Sequence, residues 1–192
     1  DSYVKDNSVY VQNNTSPFDG YYTTMEGITV KYHSHRITLT NNQVNVTGGR
    51  NNYGTTVSDG STNITFDNNK FNITGQRYVC GLQYDNSQNC TAINNNISLF
   101  SEVDNNVPLS TNEETISYGI ILTAWSNGGT INSTVFNNTI NSTSHIGYGM
   151  EIYDAGIIRK CALKHGVIGY SVVDSQWSKC EREKTLNYEH YK

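Results

Sequence analysis

An asparagine-centred unit recurs along this chain at a nearly fixed interval, and it constrains the fold more than any other feature. Two copies read Ile37-Thr38-Leu39-Thr40-Asn41-Asn42-Gln43-Val44-Asn45-Val46 and Ile64-Thr65-Phe66-Asp67-Asn68-Asn69-Lys70-Phe71-Asn72-Ile73. Two more read Cys90-Thr91-Ala92-Ile93-Asn94-Asn95-Asn96-Ile97-Ser98-Leu99 and Ser133-Thr134-Val135-Phe136-Asn137-Asn138-Thr139-Ile140-Asn141-Ser142. The first three Asn pairs are 27 and then 26 residues apart. A unit this small cannot close a core alone, so a repeat of this period means stacked units that share one. Apolar and polar residues alternate at Ile37/Leu39, Val44/Val46, Phe71/Ile73 and Ile120/Leu122, the period of a strand with one buried face.

A second landmark keeps the same period. Gly54 and Gly81 lie 13 residues beyond Asn41 and Asn68, and Gly149 lies 12 beyond Asn137. Gly119 lies 25 beyond Asn94, which places an insertion at residues 101–115. Each unit therefore reads as strand, Asn turn, strand, loop, Gly turn, strand. Stacking brings Asn41, Asn68, Asn94 and Asn137 into register as a ladder, because a side-chain amide both donates and accepts. Asn also tolerates the left-handed backbone of a tight corner.

With these Asn turns and Tyr-Gly-hydrophobic segments (Tyr53-Gly54, Tyr148-Gly149), residues 28–156 resemble the right-handed parallel β-helix repeat proteins of the pectate-lyase-like superfamily. In character they are closest to adhesin-like surface proteins of archaea and bacteria. The resemblance implies an all-β, single-stranded right-handed parallel β-helix, or solenoid, of about five coils with terminal caps. It is not specific for function, because such folds carry lyases, hydrolases, epimerases, tailspikes and non-catalytic surface proteins.

The ends differ from the middle. Residues 1–27 have no copy of the Asn-turn unit and are expected to form an N-terminal cap or assembly segment. Residues 157–192 are expected to form a last irregular coil and a basic, Cys-containing C-terminal cap. Residues 155–192 hold seven Lys/Arg and four acids, a net +3, against −7 for residues 1–154.

Composition narrows the compartment. The net charge of −4 and the 14 tyrosines do not fit a disordered chain, and 26 asparagines suit short strands joined by tight turns. Ten Asn-x-Ser/Thr sequons begin at Asn13, Asn14, Asn45, Asn63, Asn72, Asn89, Asn96, Asn132, Asn137 and Asn141. With an even number of cysteines they point to an extracellular or cell-surface glycoprotein. Asn45, Asn72 and Asn141 each follow the Asn corner by four residues, so a row of glycans on one outward face is expected. No apolar run reaches the roughly 18–20 residues of a membrane span. The chain opens on Asp1-Ser2-Tyr3 without a signal peptide, as a mature form or an excised fragment would.

The four cysteines, Cys80, Cys90, Cys161 and Cys180, allow three disulfide pairings, and spacing does not choose between them. The local arrangement, 80–90 with 161–180, is preferred, since a bridge in the basic tail is worth on the order of 3 kcal/mol. A zinc site from Cys161, His165, Cys180 and His190 matches no standard spacing.

Other groups that bear on chemistry are sparse. His33, His35 and Arg36 precede the first Asn unit, and alternation places both histidines on one strand face. Asp59 and Asp85, 26 residues apart, would stack as a carboxylate pair of the kind glycosidases use. Asp67, Glu151 and Asp154 lie near the coils, and Glu102, Asp104, Glu113 and Glu114 acidify the insertion. None makes the dense acidic cluster of a calcium site. No catalytic residue, metal or cofactor is therefore assigned.

The expected function is an extracellular, non-catalytic structural protein, adhesin-like or a subunit of a surface filament. Its expected partners are further copies joined end to end, or a carbohydrate or cell-surface ligand. The alternatives are a polysaccharide-active enzyme of lyase or glycosidase type, and a carbohydrate-binding module using Tyr21, Tyr22, Trp125 or Tyr148 as stacking platforms. An acidic, sequon-rich repeat does not suit nucleic acid.

Overall fold

A computed structural model describes residues 1–12, 24–101, 115–123, 132–144, 146–153, 157–162, 170–173 and 176–177. These residues are all-β, and no helix occurs among them. The early strands are β1 (Ser2–Lys5), β2 (Ser8–Gln12), β3 (Thr24–Val30), β4 (His35–Thr40), β5 (Gln43–Val57) and β6 (Thr62–Asp67). The central ones are β7 (Lys70–Asp85), β8 (Thr91–Ile93), β9 (Asn96–Ser101), β10 (Ile116–Thr123) and β11 (Ser133–Phe136). The last are β12 (Thr139–Thr143), β13 (Ile146–Tyr153), β14 (Ile157–Ala162), β15 (Tyr170–Val173) and β16 (Gln176–Trp177).

Two parallel sheets result. One has seven strands in the order β1-β4-β6-β8-β11-β14-β16. The other has nine, in which β12-β9-β7-β10-β13-β15 is continued by β5, itself paired with β2, β3 and β7. β1, β4, β6, β8 and β11 of the first sheet are each followed by an Asn-type corner, at Asp6-Asn7 or at an Asn pair, and then by a strand of the second. Successive units therefore become neighbours in both sheets. Among the described residues the first sheet has seven strands, with β1 before the first Asn-Asn pair and β14 and β16 after the last.

The first residues take part in both sheets. β1 pairs with β4, and β2 and β3 both pair with β5. Between β1 and β2 sits Asp6-Asn7, with Asp6 at φ 58° in the corner conformation. Residues 1–12 thus contain an Asn-corner unit in which Asp replaces the first Asn.

Equivalent apolar side chains align in columns. In the seven-stranded sheet, Val4, Leu39, Phe66, Ala92 and Val135 are register partners from row to row. In the nine-stranded sheet, Val9, Val44, Phe71, Ile97 and Ile140 form a second column. Thr55, Leu82, Ile120 and Met150 form a third. Most of these side chains are buried in one cluster that also holds Ile64, Ile73, Tyr84 and Leu122. Fully burying a side chain of this size stabilises by about 1.5–3 kcal/mol, so each row is held mainly by the rows beside it.

The landmark glycines lie inside strands rather than at turns. A Cβ on Gly54 would lie 2.6 Å from the Gly81 carbonyl oxygen, and one on Gly81 would lie 2.5 Å from that of Gly119. Gly119 meets the Gly149 carbonyl oxygen in the same way. Their spacing reflects a close approach of successive backbones that no side chain permits. No helix among the described residues is long and apolar enough to cross a membrane.

Candidate functional site

The Asn pairs make two ladders with different environments. The first members, Asn41, Asn68, Asn94 and Asn137, hold the corner at φ of 54–57°. Their amides form an outer, discontinuous row: Asn68 Nδ2 donates to Asn41 Oδ1 at 2.8 Å and Asn137 Nδ2 to Asn94 Oδ1 at 2.7 Å. Asn94 Nδ2 instead donates to Asp67 Oδ1 at 2.9 Å. The continuous ladder is one residue further on, at Asn42, Asn69, Asn95 and Asn138, all buried. The Oδ1 of Asn69 accepts from both the backbone N–H and Nδ2 of Asn42, at 2.9 and 3.0 Å. Asn95 Oδ1 serves Asn69 in the same way, and Asn138 Oδ1 serves Asn95. Each Nδ2 also satisfies a backbone carbonyl, such as Leu39 O for Asn69 and Phe66 O for Asn95. The ladder continues into the first row, where Asn7 donates N–H and Nδ2 to Asn42 Oδ1, each at 3.1 Å.

A second corner runs parallel to the first and was not legible in the spacing of the Asn pairs. Arg36, Asn63, Asn89 and Asn132 all have φ of 53–57°. Three of these residues begin sequons. The signal was present: Asn63 and Asn89 are 26 residues apart and Asn89 and Asn132 are 43 apart, the intervals that separate the buried amides of Asn69, Asn95 and Asn138.

The other sequons distribute as follows. Asn45 and Asn72 are half-buried register partners, and Asn72 Nδ2 donates to Asn45 Oδ1 at 2.8 Å. The row continues through Ser98 to Asn141. Asn63, Asn89, Asn96 and Asn141 are exposed, and Asn132 and Asn137 are half-buried. Asn13 and Asn14 lie outside the described residues. Asn72, Ser98, Asn141, Thr74, Phe100 and Thr143 line a groove of about 310 Å³ on the outward face of β7, β9 and β12.

A third row lies on the outward face of β5, β7, β10 and β13. Glu26, Tyr53, Cys80, Tyr118 and Tyr148 are successive register partners. Cys80 interrupts the tyrosines, and the ring of Tyr78, two residues earlier, bridges the gap. The Tyr53–Tyr78, Tyr78–Tyr118 and Tyr118–Tyr148 centroids are 5.4, 5.1 and 5.2 Å apart. Glu151 is hydrogen-bonded to Tyr118, yet burial still raises its carboxyl above the ordinary value. Burial likewise raises Tyr53, Tyr78, Tyr118 and the Cys80 thiol, with the Glu151 charge adding to the effect on Cys80. Such a thiol is protonated and inert as a nucleophile. Tyr78 Oη and Gln83 Oε1 are buried there with no hydrogen-bond partner among the described residues.

Several sequence expectations are redrawn. Cys80 and Cys90 are free, buried thiols and not a disulfide. Cys80 lies in the nine-stranded sheet, while Cys90 precedes β8 of the other sheet and donates to Gln88 O at 3.4 Å. The side chains of Cys161, Cys180, His165 and His190 lie outside the described residues. His33 and His35 do not share a strand face. His33 sits in the turn before β4 at φ 59°, and His35 Nδ1 pairs with Thr62 Oγ1 at 2.6 Å. Asp59 and Asp85 are out of register, since Tyr84 pairs with Val57 while Asp59 occupies the turn beyond, opposite Asn86. The insertion's acids, Asp154, Tyr21, Tyr22 and Trp125 lie outside the described residues. Among those residues no three His, Cys, Asp or Glu side chains gather to hold a metal ion.

The molecule's class is therefore an all-β protein of parallel strands stacked in rows and joined by amide ladders. Comparison of the chain with protein-family models, curated proteins and solved structures gives no match.

Proposed function

We propose that the chain is a right-handed parallel β-helix serving as an extracellular, non-catalytic structural module, adhesin-like or part of a surface filament. The observation that carries this reading is the open end of the buried ladder. Asn42, Asn69, Asn95 and Asn138 each accept, through Oδ1, from the rung before. Asn7 Oδ1 is the acceptor for one further rung, and no described residue donates to it. β1 and β2 each pair on one side only among the described residues, with β4 and β5. Val4, Val9 and Val11 are only partly buried there. An edge with an amide acceptor, unpaired strand groups and half-covered valines is a template for strand addition by another row. A second copy stacked end to end would supply that row and propagate a filament.

Light scattering and electron microscopy of the secreted protein test this directly. Concentration-dependent linear assemblies, shortened by Asn7→Ala, are expected. Monomers alone at high concentration would remove the filament reading. Release of unsaturated or reducing sugars from polysaccharide would replace it with an enzymatic one.

A further inference from the structure

The sequons do not present equivalent amides. The Nδ2 of Asn72 is spent on Asn45 Oδ1, and that of Asn137 on Asn94 Oδ1. Both residues are half-buried, so a sugar on either nitrogen would have to be fitted in beside the row with only one N–H left to make that bond. Asn141 differs on each count. It is exposed on β12, a strand that pairs only with β9 among the described residues. It stands in an extended segment, so its side chain and that of Thr143, the sequon hydroxyl, project to the same outward side. Thr143 is itself exposed and is the register partner of Phe100.

Phe100 is the anomaly of this face. Its column reads Gln12, Thr47, Thr74, Phe100 and Thr143, and the neighbouring one reads Tyr10, Asn45, Asn72, Ser98 and Asn141. A phenyl ring 41% exposed among hydroxyls and amides gains little from its own fold. Beside it runs the groove of about 310 Å³, walled by Asn72, Ser98, Asn141 and Thr143. That is near the lower limit of ligand-sized clefts, roughly 300 Å³. An apolar ring flanked by amides and hydroxyls suits a pyranose, whose C–H face packs on the aromatic while its edges hydrogen-bond.

We propose that Asn141 carries an N-linked glycan whose first sugar lies in this groove against Phe100. The proposal rests on the reading of the chain as an exported protein. The co-reactant is a lipid-diphosphate-linked oligosaccharide. Asn141 Nδ2 bonds to the anomeric carbon, the bond from that carbon to the phosphate oxygen breaks, the lipid diphosphate leaves, and the amide proton passes to a base of the transferase. The seated sugar covers Phe100.

The test is secretion of the full chain from a eukaryotic line, followed by site-resolved mass spectrometry after enzymatic deglycosylation in heavy-oxygen water. Asn141 is expected to be occupied, with Asn45 and Asn72 unmodified. Occupancy at Asn63 or Asn89 with Asn141 bare would overturn the assignment while leaving the export reading intact. A chain retained in the cell, or bare at every sequon, would overturn both. The seat is tested separately by thermal unfolding of Phe100→Ser, Asn141→Gln and the double variant. Phe100→Ser should lower the midpoint by about 2–4 °C in the glycosylated chain and by much less in the Asn141→Gln background. Equal shifts in the two backgrounds would overturn the seat.

Discussion

Within one unit, Asn68 and Asn69 are adjacent and chemically identical, so replacing each by Ala separates a buried rung from an exposed corner. Asn69→Ala removes four side-chain hydrogen bonds: two accepted from Asn42 and one donated to each of Leu39 O and Asn95 Oδ1. Asn95 Oδ1 keeps its bond from the Asn69 backbone, and Asn42 Nδ2 keeps its bond to Val4 O. The backbone N–H of Asn42 loses its side-chain acceptor in a buried site, as Leu39 O loses its side-chain donor. At about 1 kcal/mol net per bond, with about 1–3 kcal/mol for a stranded buried group, the expected cost is roughly 3–5 kcal/mol. Asn68→Ala forfeits one exposed bond, to Asn41 Oδ1, and places Ala at φ 55°. That costs about 1–2 kcal/mol for the left-handed backbone plus a few tenths for the bond. The measurement is denaturant unfolding followed by far-ultraviolet circular dichroism, with the slope checked because stacked rows need not unfold as one unit. Asn69→Asp sharpens it. It keeps the acceptor but turns a carboxylate toward Leu39 O and Asn95 Oδ1, so it should be worse than Ala. If Asn68→Ala costs as much as Asn69→Ala, the buried ladder does not hold the rows and the reasoning fails.

Gly81→Ala should be destabilising by about 1–3 kcal/mol or more, because its Cβ would meet the Gly119 carbonyl oxygen and Ile97 Cγ2, each at 2.5 Å. Gly147→Ala is the control in the same denaturation assay, since it meets only serine hydroxyls at 3.0–3.5 Å and should be near neutral. Peptides containing Cys80 and Cys90 should resist alkylation in the native protein and react after unfolding, read by mass spectrometry, because both thiols are buried and raised in pKa. Recovering them as a disulfide-linked pair would contradict this. For Glu151 the folded pKa is raised by burial. Its contribution to stability is therefore fully present below the unfolded carboxylate pKa and lost as pH rises through the folded one. Glu151→Gln should accordingly gain stability relative to the parent as pH rises across that window, and a difference independent of pH would argue against a desolvated carboxyl.

The repeat was legible because a tight corner demands a left-handed residue, and Asn meets that demand in sequence as in structure. Which Asn faces inward was also written in the chain, though not in the pair itself. Asn42, Val44 and Val46 are spaced by two, so the side chain at Asn42 must point to the same side as the buried valines. Applied to Asp6-Asn7, the same parity puts Asn7 with Val9 and Val11, which identifies the first row even though no second Asn marks it. The glycine column was visible as a spacing but not as a function. The distance between one backbone and the next is a tertiary quantity, and turn and close approach both select Gly. The carboxylate and histidine pairings failed for a related reason: turn residues do not keep strand register, so equal spacing did not bring Asp59 onto Asp85.

The insertion supplies the last constraint. Asn95 and Asn138 are 43 residues apart where Asn69 and Asn95 are 26 apart, yet the amide bonds match, at 2.9 and 3.0 Å. Chain length between rungs therefore does not disturb the row. What a row dictates is the residue type at each column, so a residue that breaks its column is not there for stacking. Cys80 among tyrosines, Ser98 among asparagines and Phe100 among threonines are such breaks. Ser98 and Phe100 lie together in the groove beside Asn141. Stacking physics accounts for the columns, and the chemistry particular to this chain has to be sought where they are broken.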